Sequence, residues 1–181
     1  AGRKGVSAWS VLGAKAIAAY IEGSDLKAFL LAHAARGTNM RGDVVFEDLL
    51  TSLSALTREN VRADEMLPMT ALIKEKLKKA AKGFYVQKFD EAAKECEEVV
   101  LLDETSPLGW TRLGSAYYMM GDKKKAQDAY TKALELSPDH PAALLALDRL
   151  YLQKKRYPKA IAVLEKLAAM CQDPKLKIAY H

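Results

Sequence analysis

The sequence predicts an all-helical fold in which short helical hairpins stack side by side, and three observations carry that expectation. Apolar residues recur at i, i+3, i+4 and i+7 through most of the chain, whereas β-branched runs with strict alternation are nearly absent. Pro107, Pro141 and Pro174 head segments of matching pattern, spaced by 34 and then 33 residues. Half of the 181 residues are hydrophobic and spread through these periodic segments, which suits a sizeable core and not a disordered chain.

The stretch from Ser106 to Asp139 organises the rest. Trp110, Leu113, Gly114 and Tyr117 form one helical stripe. Ser106 is placed to cap that helix, and Pro107 falls in its first turn, where a missing N–H costs nothing. Gly121-Asp122 stops the first helix, and Ala126, Tyr130, Ala133 and Leu134 make a second stripe ended by Pro138. Gly114 and Ala126 are small where the two helices approach closely, with Trp110 and Tyr117 filling the space beside them.

The combination of Trp110, Leu113-Gly114, Tyr117, Gly121, Ala126, Tyr130, Ala133 and Pro138 closely resembles a tetratricopeptide repeat, the 34-residue helix–turn–helix unit. Shifting the frame backwards starts a unit at Ile73, with Ala80, Gly83, Ala92, Cys96 and Val99 at core positions and Phe89 at the turn. Shifting it forwards places Leu144, Leu147, Tyr151, Ala160 and Leu164 in a unit from Pro141. The resemblance covers residues 73–174 and implies a right-handed α-solenoid of three hairpins, at 73–106, 107–140 and 141–174. Residues 175–181 read as the start of a further helix, so the repeat domain is expected over 70–181. Three repeats are about the minimum for such a stack, since each buries its apolar face only against its neighbours.

Residues 1–69 read as a separate helical region. Ser7 to Glu22 carries Trp9, Leu12, Gly13, Ala16 and Tyr20 at helical spacing; Leu26 to Arg36 follows as a second helix with Gly37 as its C-cap. Trp9-x-x-Leu12-Gly13 repeats the start of the central unit, so residues 7–36 are either a diverged repeat or a hairpin of chance likeness, and the late Gly23 favours the hairpin. Thr38 to Gly42 is read as a turn, and Val44 to Thr57 as a helix burying Phe46, Leu49, Leu50 and Leu53. Leu67-Pro68 breaks the pattern before a helix from Met69 to about Val86.

Charge and chemistry exclude more than they assign. The net charge of +5 lies wholly from Ile73 onward, with Lys74, Lys76, Lys78, Lys79 and Lys82 as the densest cluster. It is modest and interleaved with glutamates, which reads as a solvated helical face and disfavours nucleic acid as the partner. Cys96 takes a core position, and a disulfide to Cys171, about two repeats away, is disfavoured by reach. Neither cysteine belongs to a cluster of metal-ligand spacing. His33, His140 and His181 are scattered, and no phosphate-binding glycine loop or nucleophile elbow is present. No catalytic residue, metal or cofactor is therefore expected. No segment is apolar and long enough to span a bilayer. The expectation is a soluble protein, cytoplasmic or, with a leader removed before Ala1, exported.

In tetratricopeptide arrays the first helices of successive repeats line a concave groove. By that resemblance the partner-binding residues are Lys74, Leu77, Lys78, Ala81, Phe84 and Tyr85 in the first repeat. The second supplies Leu108, Thr111, Arg112, Ser115, Tyr118 and Met119. The third supplies Ala142, Leu145, Ala146, Arg149, Leu152 and Gln153. Cations among aromatics favour a protein or peptide that is acidic with apolar anchors. Chaperone-binding members grip a terminal carboxylate with Lys and Asn at set positions. Leu77, Ala81, Arg112, Ala142 and Ala146 stand there instead, so that activity is not implied. The expected function is a non-catalytic adaptor or scaffold. The alternatives are a structural subunit using its ends and N-terminal helices for contacts, or a regulatory part of a larger protein.

Overall fold

The computed structural model describes residues 8–38, 44–58 and 66–172. Among them are nine helices and no strand: α1 (Ala8–Ile21), α2 (Asp25–Thr38), α3 (Val44–Thr57), α4 (Met69–Tyr85), α5 (Phe89–Leu102), α6 (Pro107–Met119), α7 (Lys123–Leu136), α8 (Pro141–Gln153) and α9 (Tyr157–Gln172). They form two compact units that divide within α4, between Lys78 and Lys79.

The first unit is built on α2, which packs against α1 and α3. Every residue from Ala28 to Ala35 is buried. Four alanines in that run let neighbours approach from several sides, and Phe29, Leu30 and Leu31 fill the remaining space. On α1 the buried residues are Gly13, Ala16 and Ala19. Tyr20, expected on that stripe, is 43% exposed, because it stands about 100° round the helix from Ala19.

Gly37 also departs from expectation. It does not cap α2; the helix runs on to Thr38, whose hydroxyl donates to the Ala34 carbonyl at 2.8 Å. The glycine serves close approach instead. A Cβ there would stand 2.5 Å from the Leu67 carbonyl oxygen and 2.6 Å from the Pro68 nitrogen. One turn earlier, buried His33 accepts a hydrogen bond from the Leu67 N–H through Nε2, at 2.9 Å. Arg36 on α2 pairs with Glu47 on α3. Leu50 and Leu53 are buried on α3 and Leu49 is half-buried. The turn at 39–42 and the segment 59–65 lie outside the described residues, as does the side chain of Phe46.

In the second unit, hairpins recur. The C-terminal part of α4 pairs with α5, α6 with α7 and α8 with α9. The expected stripes form the core: Leu113 and Trp110 pack with Ala80, Cys96, Val100 and Ala129. Ala126 and Tyr130 pack with Leu147 and Leu150. Burying a large apolar side chain stabilises by roughly 1.5–3 kcal/mol, so these layers supply most of the drive to stack. Ser106 caps α6, accepting from the Gly109 N–H at 3.2 Å, and Asp122 caps α7, accepting from the Lys125 N–H at 3.0 Å. Leu164, expected in the core, is 45% exposed while Ala160 on the same helix is buried. α9 packs against α8, and no later helix among the described residues covers its outer side. The further helix expected over 175–181 lies outside the described residues.

The turns inside the three hairpins are built alike. Gln87, Gly121 and Lys155 take φ of 60°, 86° and 54°. Each donates its N–H three residues back, and the next residue donates five back: Lys88 to Gly83 (2.8 Å), Asp122 to Tyr117 (2.9 Å) and Arg156 to Tyr151 (2.8 Å). This is the Schellman arrangement, which satisfies carbonyls that a helix end leaves unpaired.

Candidate functional site

The small residues that let the hairpins close also leave a cleft on the second unit. It has a volume of about 760 Å³ and is lined from α4, α5, α6, α7 and α8. Phe84 and Tyr85 come from the end of α4, Gln87 from the turn and Phe89 from the start of α5. Ser115, Tyr118 and Met119 lie along one side of α6, and Ala142, Leu145, Ala146 and Arg149 along α8. Tyr130 of α7 completes the lining. Tyr85 is 89% exposed, Leu145 57% and Met119 52%, so the rim offers bulky apolar groups to solvent. Phe84 and Phe89 sit deeper, with ring centroids 6.3 Å apart.

The polar groups are few and placed. Gln153 donates through Nε2 to the Tyr118 hydroxyl at 2.6 Å, holding that ring between α6 and α8. The Tyr130 hydroxyl donates to Ser115 Oγ at 3.3 Å. Burial raises the Tyr130 pKa, partly opposed by the Ser115 hydrogen bond. Arg149 is the one charged side chain among the described lining residues, and it is exposed. The chemistry on offer is apolar and aromatic contact plus one cation.

Of the residues expected in a groove, the structure brings together Phe84, Tyr85, Ser115, Tyr118, Met119, Ala142, Leu145, Ala146 and Arg149. Gln153 reaches the site through Tyr118. Thr111 does not line it: the residue is buried and its hydroxyl donates to the Pro107 carbonyl at 2.7 Å within α6. Arg112, Leu108 and Leu152 are exposed outside the lining. Lys74, Leu77 and Lys78 belong to the first unit.

Sequence reasoning missed Gln87, Phe89 and Tyr130. Tyr130 was readable only as core, yet Gly114 has no side chain to screen its ring. That pairing of a glycine with a facing aromatic was the available signal. Among the described residues no cluster of His, Cys, Asp or Glu could hold a metal ion, and no helix is long and apolar enough to cross a membrane.

Stacked helical hairpins with an open cleft on their inner helices define a helical-repeat array. Its family is the tetratricopeptide repeat, to which residues 107–179 belong: sequence patterns of that description match 107–140 and 124–179. The chain is 36% identical over 76 residues to the BBSome complex member BBS4 of Bos taurus, covering 42% of this chain and 14% of that protein. It is 35% identical over 66 residues to heat shock protein STI1 of Saccharomyces cerevisiae, covering 36% and 11%. The chain thus spans less than a quarter of the length of these relatives. In fold it is similar to the TPR2AB domain of yeast Sti1 in complex with pHSP90, with a TM-score of 0.54, 13% identity and coverage of 95% of this chain and 66% of that one.

Proposed function

We propose that the chain is a non-catalytic interaction module whose cleft holds a segment of a partner protein. The observation that carries this reading is the exposure of Tyr85, Met119 and Leu145 around a concave, aromatic-lined cleft that also carries Arg149. Aromatic, methionine and arginine side chains are the types enriched where proteins bind proteins, and exposed bulky apolar groups around a cavity gain most from being covered. The lining asks for a segment with one or two apolar or aromatic anchors and a carboxylate placed to meet the Arg149 guanidinium. Ala142 and Ala146 leave the α8 side smooth, which favours a bulky anchor over a hydrogen-bonded one. The similarity to an Sti1 domain solved with pHSP90 supports the class of ligand but not its identity.

Selection from a random peptide library tests this directly. Peptides enriched on the wild type should combine aromatic or aliphatic residues with Asp or Glu. Arg149→Glu, checked by circular dichroism to be folded, should lose the acidic preference and retain the apolar one. Enrichment without either bias, or selection indifferent to Arg149→Glu, would reject the cleft as the site.

A second reading, a structural subunit that self-associates, draws on one observation. Val11, Ile17 and Ile21 are 41%, 46% and 79% exposed on α1, an apolar outer face with few charges. Sedimentation over a range of concentrations separates the readings: a self-assembling subunit grows, whereas an adaptor stays at one mass.

A further inference from the structure

The three hairpin turns of the second unit carry a feature that the cleft does not use. Their left-handed positions, Gln87, Gly121 and Lys155, recur every 34 residues, so the turns fall at equivalent places in successive hairpins. Contacts between neighbours confirm that they follow one another along an edge. Gln87 lines the cleft together with Tyr118 and Met119 beside the second turn. Gln153 beside the third turn bonds Tyr118 at 2.6 Å, and Lys154 donates to Gln127 Oε1 at 2.9 Å.

This edge is apolar at all three turns and basic at the second and third, while Lys88 beside the first is outnumbered by Asp90 and Glu91. Val86, Met120 and Tyr157 are 47%, 50% and 55% exposed there, one at each turn. From Met119 to Lys125 there are three lysines against Asp122 alone; from Leu152 to Lys159 there are three lysines and one arginine with no carboxylate. Some of these cations are engaged. Lys88 pairs with Glu91 at 2.7 Å, Lys125 lies 3.8 Å from Asp122 and over the Tyr117 ring, and Lys159 lies over Tyr151. Lys123, Lys124, Lys155 and Arg156 are exposed and pair with no carboxylate among the described residues.

We propose that this edge of hairpin turns is a docking surface for an anionic lipid bilayer, with Val86, Met120 and Tyr157 entering the headgroup region and the lysines lying over it. Two features select a bilayer over an acidic protein. Lysine is depleted from protein interfaces because its hydrated, flexible ammonium is costly to fix, whereas a diffuse anionic surface attracts it without fixing it. Aliphatic and aromatic side chains flanked by such cations suit the boundary between headgroups and acyl chains, where stems bury and charges stay wet. Nucleic acid would use the cations but gain little from Val86 or Met120, which can neither stack on bases nor bond phosphate. The edge adjoins the peptide cleft at Gln87, but Val86, Met120, Tyr157, Lys123 and Lys124 do not line the cleft, so different residues test the two readings.

Flotation of the whole chain with phosphatidylcholine vesicles, with and without phosphatidylserine, tests the proposal. The wild type should float with the anionic vesicles alone, and raised salt should release it. Lys123→Glu/Lys124→Glu and Val86→Ser/Met120→Ser, each verified by circular dichroism, should each weaken flotation by about tenfold or more. None of these residues lines the peptide cleft. Absence of flotation with anionic vesicles at low salt overturns the proposal. So does flotation that ignores the serine variants, since the turns would then not enter the bilayer. Retention of an acidic protein or duplex DNA by this edge, without vesicle binding, would assign it to that partner and also overturn the proposal.

Discussion

Gly114 on α6 faces the ring of Tyr130 on α7 so closely that a Cβ on the glycine would stand 2.6 Å from Cε1 and 2.7 Å from Cδ1. The absent side chain lets the ring lie between the two helices, where it packs with Ala126, Leu147 and Leu150 and also reaches the cleft. Gly114→Ala should therefore destabilise the fold by roughly 1–3 kcal/mol, as overpacking does in a filled core. Urea unfolding measures it. Tyr130→Leu added to Gly114→Ala should recover part of that loss, because the clashing ring atoms are gone; strict additivity would contradict the account.

The three Schellman turns make a backbone prediction. At Gly121 a Cβ would meet nothing within 4 Å, so Gly121→Ala tests conformation alone. At φ of 86° it should cost about 1 kcal/mol, seen as a lowered thermal midpoint. An unchanged midpoint would mean that the turn relaxes.

In the first unit, His33 and Gly37 hold the Leu67-Pro68 segment against α2. His33→Ala leaves the part-buried Leu67 N–H without its acceptor and should cost roughly 1 kcal/mol. Gly37→Ala should push the same segment away through its carbonyl. Both variants should speed hydrogen exchange at the Leu67 amide, and protection equal to the wild type would contradict the contact.

Cys96 gives a pH dependence with a definite sign. Burial, partly opposed by Arg112, pushes its thiol up from 9.0 to about 12. The folded value exceeds the unfolded one, so the stabilisation is complete below pH 9 and is lost as pH rises through that window. Tyr117, raised by burial and by its 2.6 Å hydrogen bond to Glu97, acts in the same direction at still higher pH. The slope of stability against pH from 9 to 12 should flatten in Cys96→Ala, and an unchanged slope would refute the assignment.

Much of this architecture was legible because repetition amplifies weak signals. The stripe of Trp110, Leu113, Gly114 and Tyr117, the Ser106 cap and the Gly121 stop mark the central hairpin, and Pro107 and Pro141 with Ala92, Ala126 and Ala160 carry its 34-residue frame to the neighbours. The turns were legible only at Gly121. Gln87 and Lys155 take the same left-handed backbone without the residue that advertises it. The cleft was legible as a face but not in detail. Arg112, Ser115 and Met119 read as one stripe, yet Ser115 and Met119 line the cleft and Arg112 does not, since position on a helix does not say which neighbour a long side chain meets. Gly37 shows the opposite failure, since a glycine near a helix end reads as a cap until the segment pressing on it is known.

The two arginines expected in the groove, Arg112 on α6 and Arg149 on α8, supply the most direct test of the cleft. An acidic, aromatic peptide taken from the library selection would be titrated by fluorescence anisotropy into wild type, Arg149→Glu and Arg112→Glu. Cleft binding predicts that Arg149→Glu weakens affinity by about tenfold or more while Arg112→Glu stays within about threefold of wild type. Equal losses, or a larger loss at Arg112, would place the peptide elsewhere on the repeats and contradict the account.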